Sequence, residues 1–299
     1  MADESTLPAI ELRGLTYVFP NGVVGLHDLN LSLPPHSRTL MIGANGAGKS
    51  TLLRLLAGRT LARAGTISLR GVDPFRSPVE GITYLGTEWA SNPVVRHDMP
   101  VPTLLASVGG DAYPERRDQL LEILDVDLSW HMNAVSDGER RRVQLVMGLL
   151  RPWHTLLLDE VTVDLDVLVR ARLLAFLRSE TESRPCAVVY ASHIFDGLAD
   201  WPSHILHLHL GRLLVADTTP VILARHADLL APPTNGVSSL NPNSLLLNLA
   251  LHWLEADLAD RGARQDIKRL TWSDIAPMDK TGGLASNSFN EYFRLSRAR

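Results

Sequence analysis

The apolar residues of the first 218 positions come in short runs that alternate with longer amphipathic stretches. Strand-like runs are predicted at 10–18, 26–33, 38–42, 65–69, 82–85, 155–158 and 187–191, with a hairpin around Gly211-Arg212. Helical spacing is predicted at 115–124 and 167–182. Strands that alternate with helices indicate a mostly parallel sheet with helices on its faces. The early strands, joined at Asn21-Gly22, predict a small antiparallel sheet beside it.

Further changes in hydrophobic spacing and composition along the chain define the predicted domain boundaries. Between about 88 and 150 the spacing is helical, which indicates a helical subdomain inserted into a first domain at 8–218. A C-terminal extension is predicted at 219–280, with a helix at about 244–259. One face of that helix carries Leu247, Leu251, Leu254 and Leu258. Residues 281–299 are rich in Ser, Asn and Arg, and we expect them to be disordered.

Composition and charge narrow the class of protein. Of 299 residues 45% are apolar, and the formal net charge is −4, so direct nucleic-acid binding is not indicated. The single cysteine, Cys186, excludes an intrachain disulfide framework, fits a reducing compartment and is expected in the core. No stretch reaches the roughly 18 uninterrupted apolar residues of a membrane span, and no signal peptide is expected. We therefore predict a cytoplasmic protein.

A glycine-rich loop carries the strongest candidate chemistry. Gly43 and Gly48 are separated by four residues, and Lys49, Ser50 and Thr51 follow. This spacing lets backbone N–H groups surround a phosphate at a helix N-terminus. Lys49 would reach the β- and γ-phosphates, and Ser50 would complete a Mg²⁺ shell. A glycine turn before an amphipathic helix is the plainer alternative, but the apolar strand before the loop favours nucleotide binding.

Acidic residues end a later apolar run. Asp159 and Glu160 follow three leucines, so Asp159 would lie at the edge of the sheet near Mg²⁺. Glu160 could then act as general base on a water molecule. An acidic turn after a strand is the alternative. His193, after the strand at 187–191, is either structural or a contact to a γ-phosphate.

Ser136, Gly138 and Glu139 open a helical pattern that continues with three arginines at 140–142. A serine and a glycine at a helix start can form an anion site. The same residues also fit a capping box, in which Glu139 bonds back to Ser136. Both interpretations can hold together. The arginines would by default form a solvated helix face.

The order of these segments resembles the ATP-binding cassette (ABC) ATPases over about residues 8 to 216. The resemblance implies a P-loop α/β fold, with ATP and Mg²⁺ bound between two cassettes in a head-to-tail homodimer or heterodimer. It makes Asp159 and Ser50 the metal site, and Glu160 and His193 catalytic. It also implies nucleotide contacts from three places: Phe19 (with Tyr17 as the less favoured aromatic), the loop residues Gly43, Asn45, Gly46, Ala47, Gly48, Lys49, Ser50 and Thr51, and the motif residues Ser136, Gly138, Glu139 and Asp166.

The chain departs from the family pattern in several places. Val135, Asp137 and Glu139 replace residues of the usual Leu-Ser-Gly-Gly-Gln signature, and Val161 replaces a proline. The glutamine of the family's Q-loop is missing from 84–89, so Thr87 or Glu88 would have to take its role. That puts the usual coupling to a transporter in doubt.

The departures themselves resemble the eukaryotic soluble ABC ATPases of subfamily I. One yeast member of that group is associated with the carbon-catabolite-repression/NOT transcription-regulatory complex. The resemblance implies a regulatory ATPase in a soluble protein complex. A nuclear location is implied by this resemblance alone. The alternative is a nucleotide-binding subunit whose membrane chain is separate. His204, His207 and His209 are interpreted as a polar strand face rather than a zinc site.

Overall fold

A computed structural model of the chain describes residues 7–77, 79–91, 93–227 and 245–262. The chain divides into two compact units, Met1–Glu255 and Ala256–Arg299. Of the second unit, the described residues are 256–262, which contain the end of the last helix. The predicted tail at 281–299 lies outside the described residues.

The N-terminal part of the chain forms the predicted small antiparallel sheet. Its strands are β1 (Ile10–Val18), β2 (Val24–Leu33) and β4 (Ala64–Leu69), in the order β2-β1-β4. Asn21 stabilises the turn between the first two strands, because its side-chain oxygen accepts a hydrogen bond from the Val23 N–H at 3.1 Å. This sheet brings Phe19, just after β1, beside the larger sheet's phosphate-loop end.

The larger sheet is mostly parallel, as predicted. It is built from β3 (Ser37–Ile42), β5 (Ile82–Leu85), β6 (Thr155–Asp159), β7 (Ala187–Ala191), β8 (His204–His209) and β9 (Arg212–Thr218). The order is β5-β6-β7-β3-β8-β9, and only the β8–β9 pair is antiparallel among these described strands. The central strands β6 and β7 are wholly buried, which explains their unbroken apolar runs.

Helices cover the larger sheet. They are α1 (Lys49–Leu56), α2 (Val101–Ser107), α3 (Pro114–Ile123), α4 (Asp137–Leu150), α5 (Val167–Ser183), α6 (Thr219–Arg225) and α7 (Leu245–Arg261). Helices α2, α3 and α4 occupy the range predicted as a helical subdomain. The mixed α/β architecture confirms the predicted fold class. Across the described ranges, the helices are too short or too polar to cross a membrane.

The most buried residues of the C-terminal helix are not the four spaced leucines. Leu246, Leu249, Ala250 and Trp253 are at most 5% exposed, whereas Leu251 is 48% exposed. The segment is apolar on several sides, so the spacing of the leucines alone does not determine which face packs. The helix packs against the sheet through Trp253, whose ring stacks on His207 with centroids 4.6 Å apart.

That packing corrects the interpretation of the histidines as a polar strand face. His207 and His209 are buried, and the Trp253 ring stacks on His207. Among the described residues no group of side chains has the arrangement of a metal site. Cys186 is also buried, and burial raises the pKa of its thiol to about 11.

Candidate functional site

The glycine-rich loop lies between the end of β3 and the start of α1. Gly46 and Gly48 have φ angles of 85° and 108°, which side chains rarely adopt. A Cβ on Gly43 would lie 2.3 Å from the carbonyl oxygen of Leu208, so the loop can pass β8 only as glycine. The backbone path follows from these glycines, and it sets the start of α1 at Lys49.

Lys49 is the buried cation of the loop. Its ammonium group donates hydrogen bonds to the carbonyls of Gly43, at 2.6 Å, and Ala44, at 3.2 Å. Burial lowers the pKa of Lys49, and the charges of Glu160 and Asp159 partly oppose that shift. The lysine is therefore held inside the loop by groups that a phosphate oxygen can replace.

Ser50 and Asp159 meet at the position predicted for a metal. The Ser50 hydroxyl donates to Asp159 Oδ1 at 3.0 Å, and Asp159 is 7% exposed at the end of β6. A hydroxyl and a carboxylate are oxygen ligands of the kind that Mg²⁺ prefers. The donor set therefore fits Mg²⁺, with Ser50 and Asp159 as the residues that would hold it.

Glu160 follows Asp159 with a strained backbone. Its φ is 54°, and its N–H donates to the carbonyl of Ala191 at 3.0 Å. After this turn Glu160 Oε1 lies 3.0 Å from His193 Nε2. His193 Nε2 also lies 3.3 Å from Lys49 Nζ. The structure thus brings Lys49, Glu160 and His193 together from three separate segments.

Phe19 lines a cleft of about 680 Å³ together with residues of the phosphate loop. The cleft is lined by Phe19, Asn45, Gly46, Gly48, Lys49, Ser50, Thr51 and Glu160, all predicted, and by Gly25, His27 and Gly211, which sequence reasoning missed. A Cβ on Gly25 would lie 2.5 Å from the Phe19 ring, so this glycine makes room for the aromatic wall. Tyr17 packs edge-on against Phe19 with its centroid 5.0 Å away. Ala47 is buried in the apolar core.

Ser136, Gly138, Glu139 and Asp166 form a second group, outside the lining of that cleft. Ser136 is the N-cap of α4, and Glu139 completes the capping box by accepting from the Ser136 N–H at 2.7 Å. Bonding to the Ser136 hydroxyl lowers the pKa of Glu139. Glu139 is therefore used in capping, while the partly exposed Gly138 lies against the segment before α5, where a Cβ would meet the carbonyl of Asp164 at 2.8 Å.

The arginines at 140–142 do not form the solvated helix face that was expected. Arg140 and Arg141 are at most 4% exposed. Arg141 donates to the carbonyl of Gly86 at 3.0 Å and pairs with Asp164 at 3.5 Å, and Arg142 bonds Asp166 at 2.7 Å. Their guanidinium groups tie α4 to two loops, since the planar fork reaches several acceptors at once.

Asp166 caps the next helix. Its Oδ1 accepts from the Val169 N–H at 2.9 Å, and this bond lowers the pKa of Asp166. The segment from 161 to 166 therefore follows Asp159 and Glu160 at one end and is bonded to Arg142 at the other. The sequence identified Asp166 and Arg142, but nothing in it indicated that these two residues form an ion pair.

The segment that replaces the family's Q-loop makes a contact that sequence reasoning missed. Glu88 pairs with Arg54 of α1, and the Thr87 carbonyl faces Arg141. The side chain that reaches the metal position is neither of these. Tyr84, near the end of β5, donates from its hydroxyl to Asp159 Oδ2 at 3.1 Å.

Comparison with known proteins agrees with this geometry. Residues 26–163 match the family model described as ABC transporter. CCR4-associated factor 16 of Saccharomyces cerevisiae is 50% identical over 224 residues, 69% of this chain and 77% of that protein. ABC transporter I family member 20 of Arabidopsis thaliana is 41% identical over 229 residues, 69% of each chain. A dimeric structure of a bacterial ABC transporter cassette has the same fold, with a TM-score of 0.60 at 17% identity over 70% of this chain and 98% of that one.

Proposed function

This chain belongs to the ABC family and is an ATP hydrolase, and we propose that it is a switch that closes head to tail with a second cassette on MgATP. One observation carries the proposal. The cleft holds the phosphate loop and Glu160, whereas Ser136 and Gly138 lie at the start of α4, outside the cleft lining. Because the start of α4 contributes no residue to that lining and Ser136 is exposed, Ser136 and Gly138 are available to the nucleotide of a second chain.

The residues of the cleft have separate tasks in this proposal. Lys49 and the loop N–H groups bind the β- and γ-phosphates, and Phe19 stacks on the adenine. Bound Mg²⁺, held by Ser50 and Asp159, would neutralise charge that develops on the phosphate oxygens. Glu160 accepts a proton from the attacking water, and His193 holds the γ-phosphate end of the cleft.

The second chain would complete the site. Ser136 and Gly138 of the partner would donate to the γ-phosphate from the start of its α4, where the helix dipole favours an anion. In a two-fold dimer the same contact is made twice. The closed dimer binds ATP better than its products, so hydrolysis lets it reopen.

The biological role we propose is regulation within a transcription or mRNA-regulatory complex of the carbon-catabolite-repression/NOT type. The support is the 50% identity to a yeast protein named CCR4-associated factor. The site of action would be the cytoplasm, and the nucleus where such a complex acts on transcription. The alternative is the nucleotide-binding subunit of a transporter with a separate membrane chain.

Recovery of partners from cells distinguishes these roles. Tagged Glu160→Gln protein would be purified with ATP present, beside tagged Lys49→Ala protein, which should not close. Transcription or deadenylation factors enriched on the Glu160→Gln form support the regulatory role. An integral membrane protein enriched on that form would overturn it in favour of a transporter subunit.

A further inference from the structure

Both carboxylate oxygens of Asp159 are held in this structure. Oδ1 accepts from the Ser50 hydroxyl at 3.0 Å, and Oδ2 accepts from the Tyr84 hydroxyl at 3.1 Å. Ser50 and Asp159 are the pair that fits Mg²⁺. Tyr84 therefore contacts the metal ligand on the oxygen that Ser50 does not use.

The fold brings Tyr84 to this place through the neighbouring strand. β5 lies parallel to β6, with Tyr84 opposite Leu157, two residues before Asp159. The hydroxyl has room because residue 86 is glycine. A Cβ there would lie 2.7 Å from the Tyr84 oxygen and 3.0 Å from its ring carbon Cζ.

Cationic side chains from α1 and the segment after it fix the ring. The Arg59 guanidinium lies over the ring, 4.5 Å from its centroid. Arg54 pairs with Glu88, and its positive charge acts on the Tyr84 hydroxyl. The hydroxyl thus donates to Asp159 and lies near Arg54, whose partner Glu88 belongs to the segment from which the family glutamine is missing.

We propose that Tyr84 is a positioning residue of the magnesium site, and that its hydroxyl orients Asp159 and links the metal to the Thr87–Ser91 segment in place of the missing glutamine. This inference rests on the proposed MgATP function. Tyr84 acts through Asp159 and does not itself bind the metal. Groups that orient a metal ligand in this way typically contribute about 10-fold or more to metal affinity.

The test separates metal binding from nucleotide binding. ATP affinity is measured by equilibrium titration with Mg²⁺ and again with EDTA, in the full chain carrying Glu160→Gln so that ATP is not consumed. In that background Tyr84→Phe removes the hydroxyl and keeps the ring under Arg59. We expect the ATP affinity measured in EDTA to be unchanged. The ratio of ATP affinity with Mg²⁺ to ATP affinity in EDTA should fall by about 10-fold. Tyr113→Phe, at an exposed tyrosine before α3, is the matched control and should leave both affinities unchanged.

Direct metal binding gives a second readout. Mn²⁺ titration followed by electron paramagnetic resonance, with ATP bound, should show weaker Mn²⁺ binding for Tyr84→Phe than for its parent. Gly86→Ala should move both readouts in the same direction, because the added Cβ displaces a hydroxyl that is still present. A cooperative thermal unfolding transition for each variant shows that the variant is folded before heating.

The outcomes are distinct. If Tyr84→Phe and Gly86→Ala keep the parent's Mg²⁺ gain and Mn²⁺ affinity, the inference is overturned while the proposed function stands. If the parent itself binds ATP equally well with Mg²⁺ and with EDTA, the proposed MgATP function fails, and this inference fails with it. Loss of ATP affinity in EDTA by Tyr84→Phe would also overturn the inference, since the tyrosine would then act on the nucleotide.

Discussion

His193 Nε2 lies 3.0 Å from Glu160 Oε1, and the same nitrogen lies 3.3 Å from Lys49 Nζ. One nitrogen cannot donate to the carboxylate and accept from the ammonium at the same time. The protonation of His193 therefore decides which of the two contacts is a hydrogen bond.

The pH dependence of stability should report this histidine. Burial, followed by the positive charge of Lys49, lowers the pKa of His193 from 6.5. The unfolded chain then binds the proton more readily than the folded chain, so the stabilising contribution is present above about pH 6.5 and is lost as pH falls through the folded pKa. Urea unfolding of wild type from pH 7.5 to 5 should show this loss, and His193→Gln should show less of it. His252→Gln, at an exposed position, is the control. Equal pH slopes for wild type and His193→Gln would contradict the assignment.

Glu160→Gln should abolish ATP hydrolysis without abolishing ATP binding. The substitution keeps the size of the side chain and removes its ability to accept a proton, so turnover should fall by about 100-fold to 10,000-fold. Phosphate release measures turnover, and equilibrium titration measures binding. Glu182→Gln, whose side chain is 62% exposed, is the matched control and should hydrolyse ATP normally. Normal turnover by Glu160→Gln would show that another group is the base.

Arg141→Met should destabilise the protein. The change removes a buried guanidinium that bonds the carbonyl of Gly86, which keeps a bond from Gln144 Nε2 at 3.1 Å. Asp164 is 41% exposed and is screened by solvent, so we expect a cost of about 1–3 kcal/mol. Urea denaturation gives the free energy of unfolding. The exposed Arg172 lies on α5, and Arg172→Met should change it by less than about 0.5 kcal/mol. Equal stabilities of the two variants would show that Arg141 does not fasten these loops.

Trp253→Ala should loosen the C-terminal helix. Trp253 is 5% exposed and stacks on His207, and truncating a buried tryptophan costs about 3–5 kcal/mol. Leu251→Ala changes a 48% exposed residue of the same helix and should cost less than about 0.5 kcal/mol. The comparison is made by urea denaturation at one pH. If the leucine variant is the less stable of the two, the face that carries Leu251 is the packed one.

Local patterns were enough to predict the fold and the phosphate loop. The glycines at 43, 46 and 48 carry strong conformational requirements, and the buried strands β6 and β7 have unbroken apolar runs. The contacts that the sequence did not predict are between segments far apart in the chain. Tyr84 and Asp159 are 75 residues apart, and only the parallel pairing of β5 with β6 reveals their meeting.

Charged residues gave the least reliable predictions. Arg141 and Arg142 are interpreted from the sequence as part of a solvated face because their partners, Asp164, Asp166 and the Gly86 carbonyl, are not local in the sequence. The histidines of β8 read as polar because the helix that covers them begins 36 residues later, at Leu245.

Mixing two inactive variants tests the head-to-tail site most directly. Lys49→Ala disables the phosphate loop, and Ser136→Arg blocks the start of α4. Each alone should hydrolyse no ATP, because every site in its homodimer carries the defect. A 1:1 mixture should regain about a quarter of wild-type turnover, since about half of the dimers are mixed and each mixed dimer has one intact site. Wild-type turnover by Ser136→Arg alone would contradict the account, because no second chain's Ser136 would then complete the site.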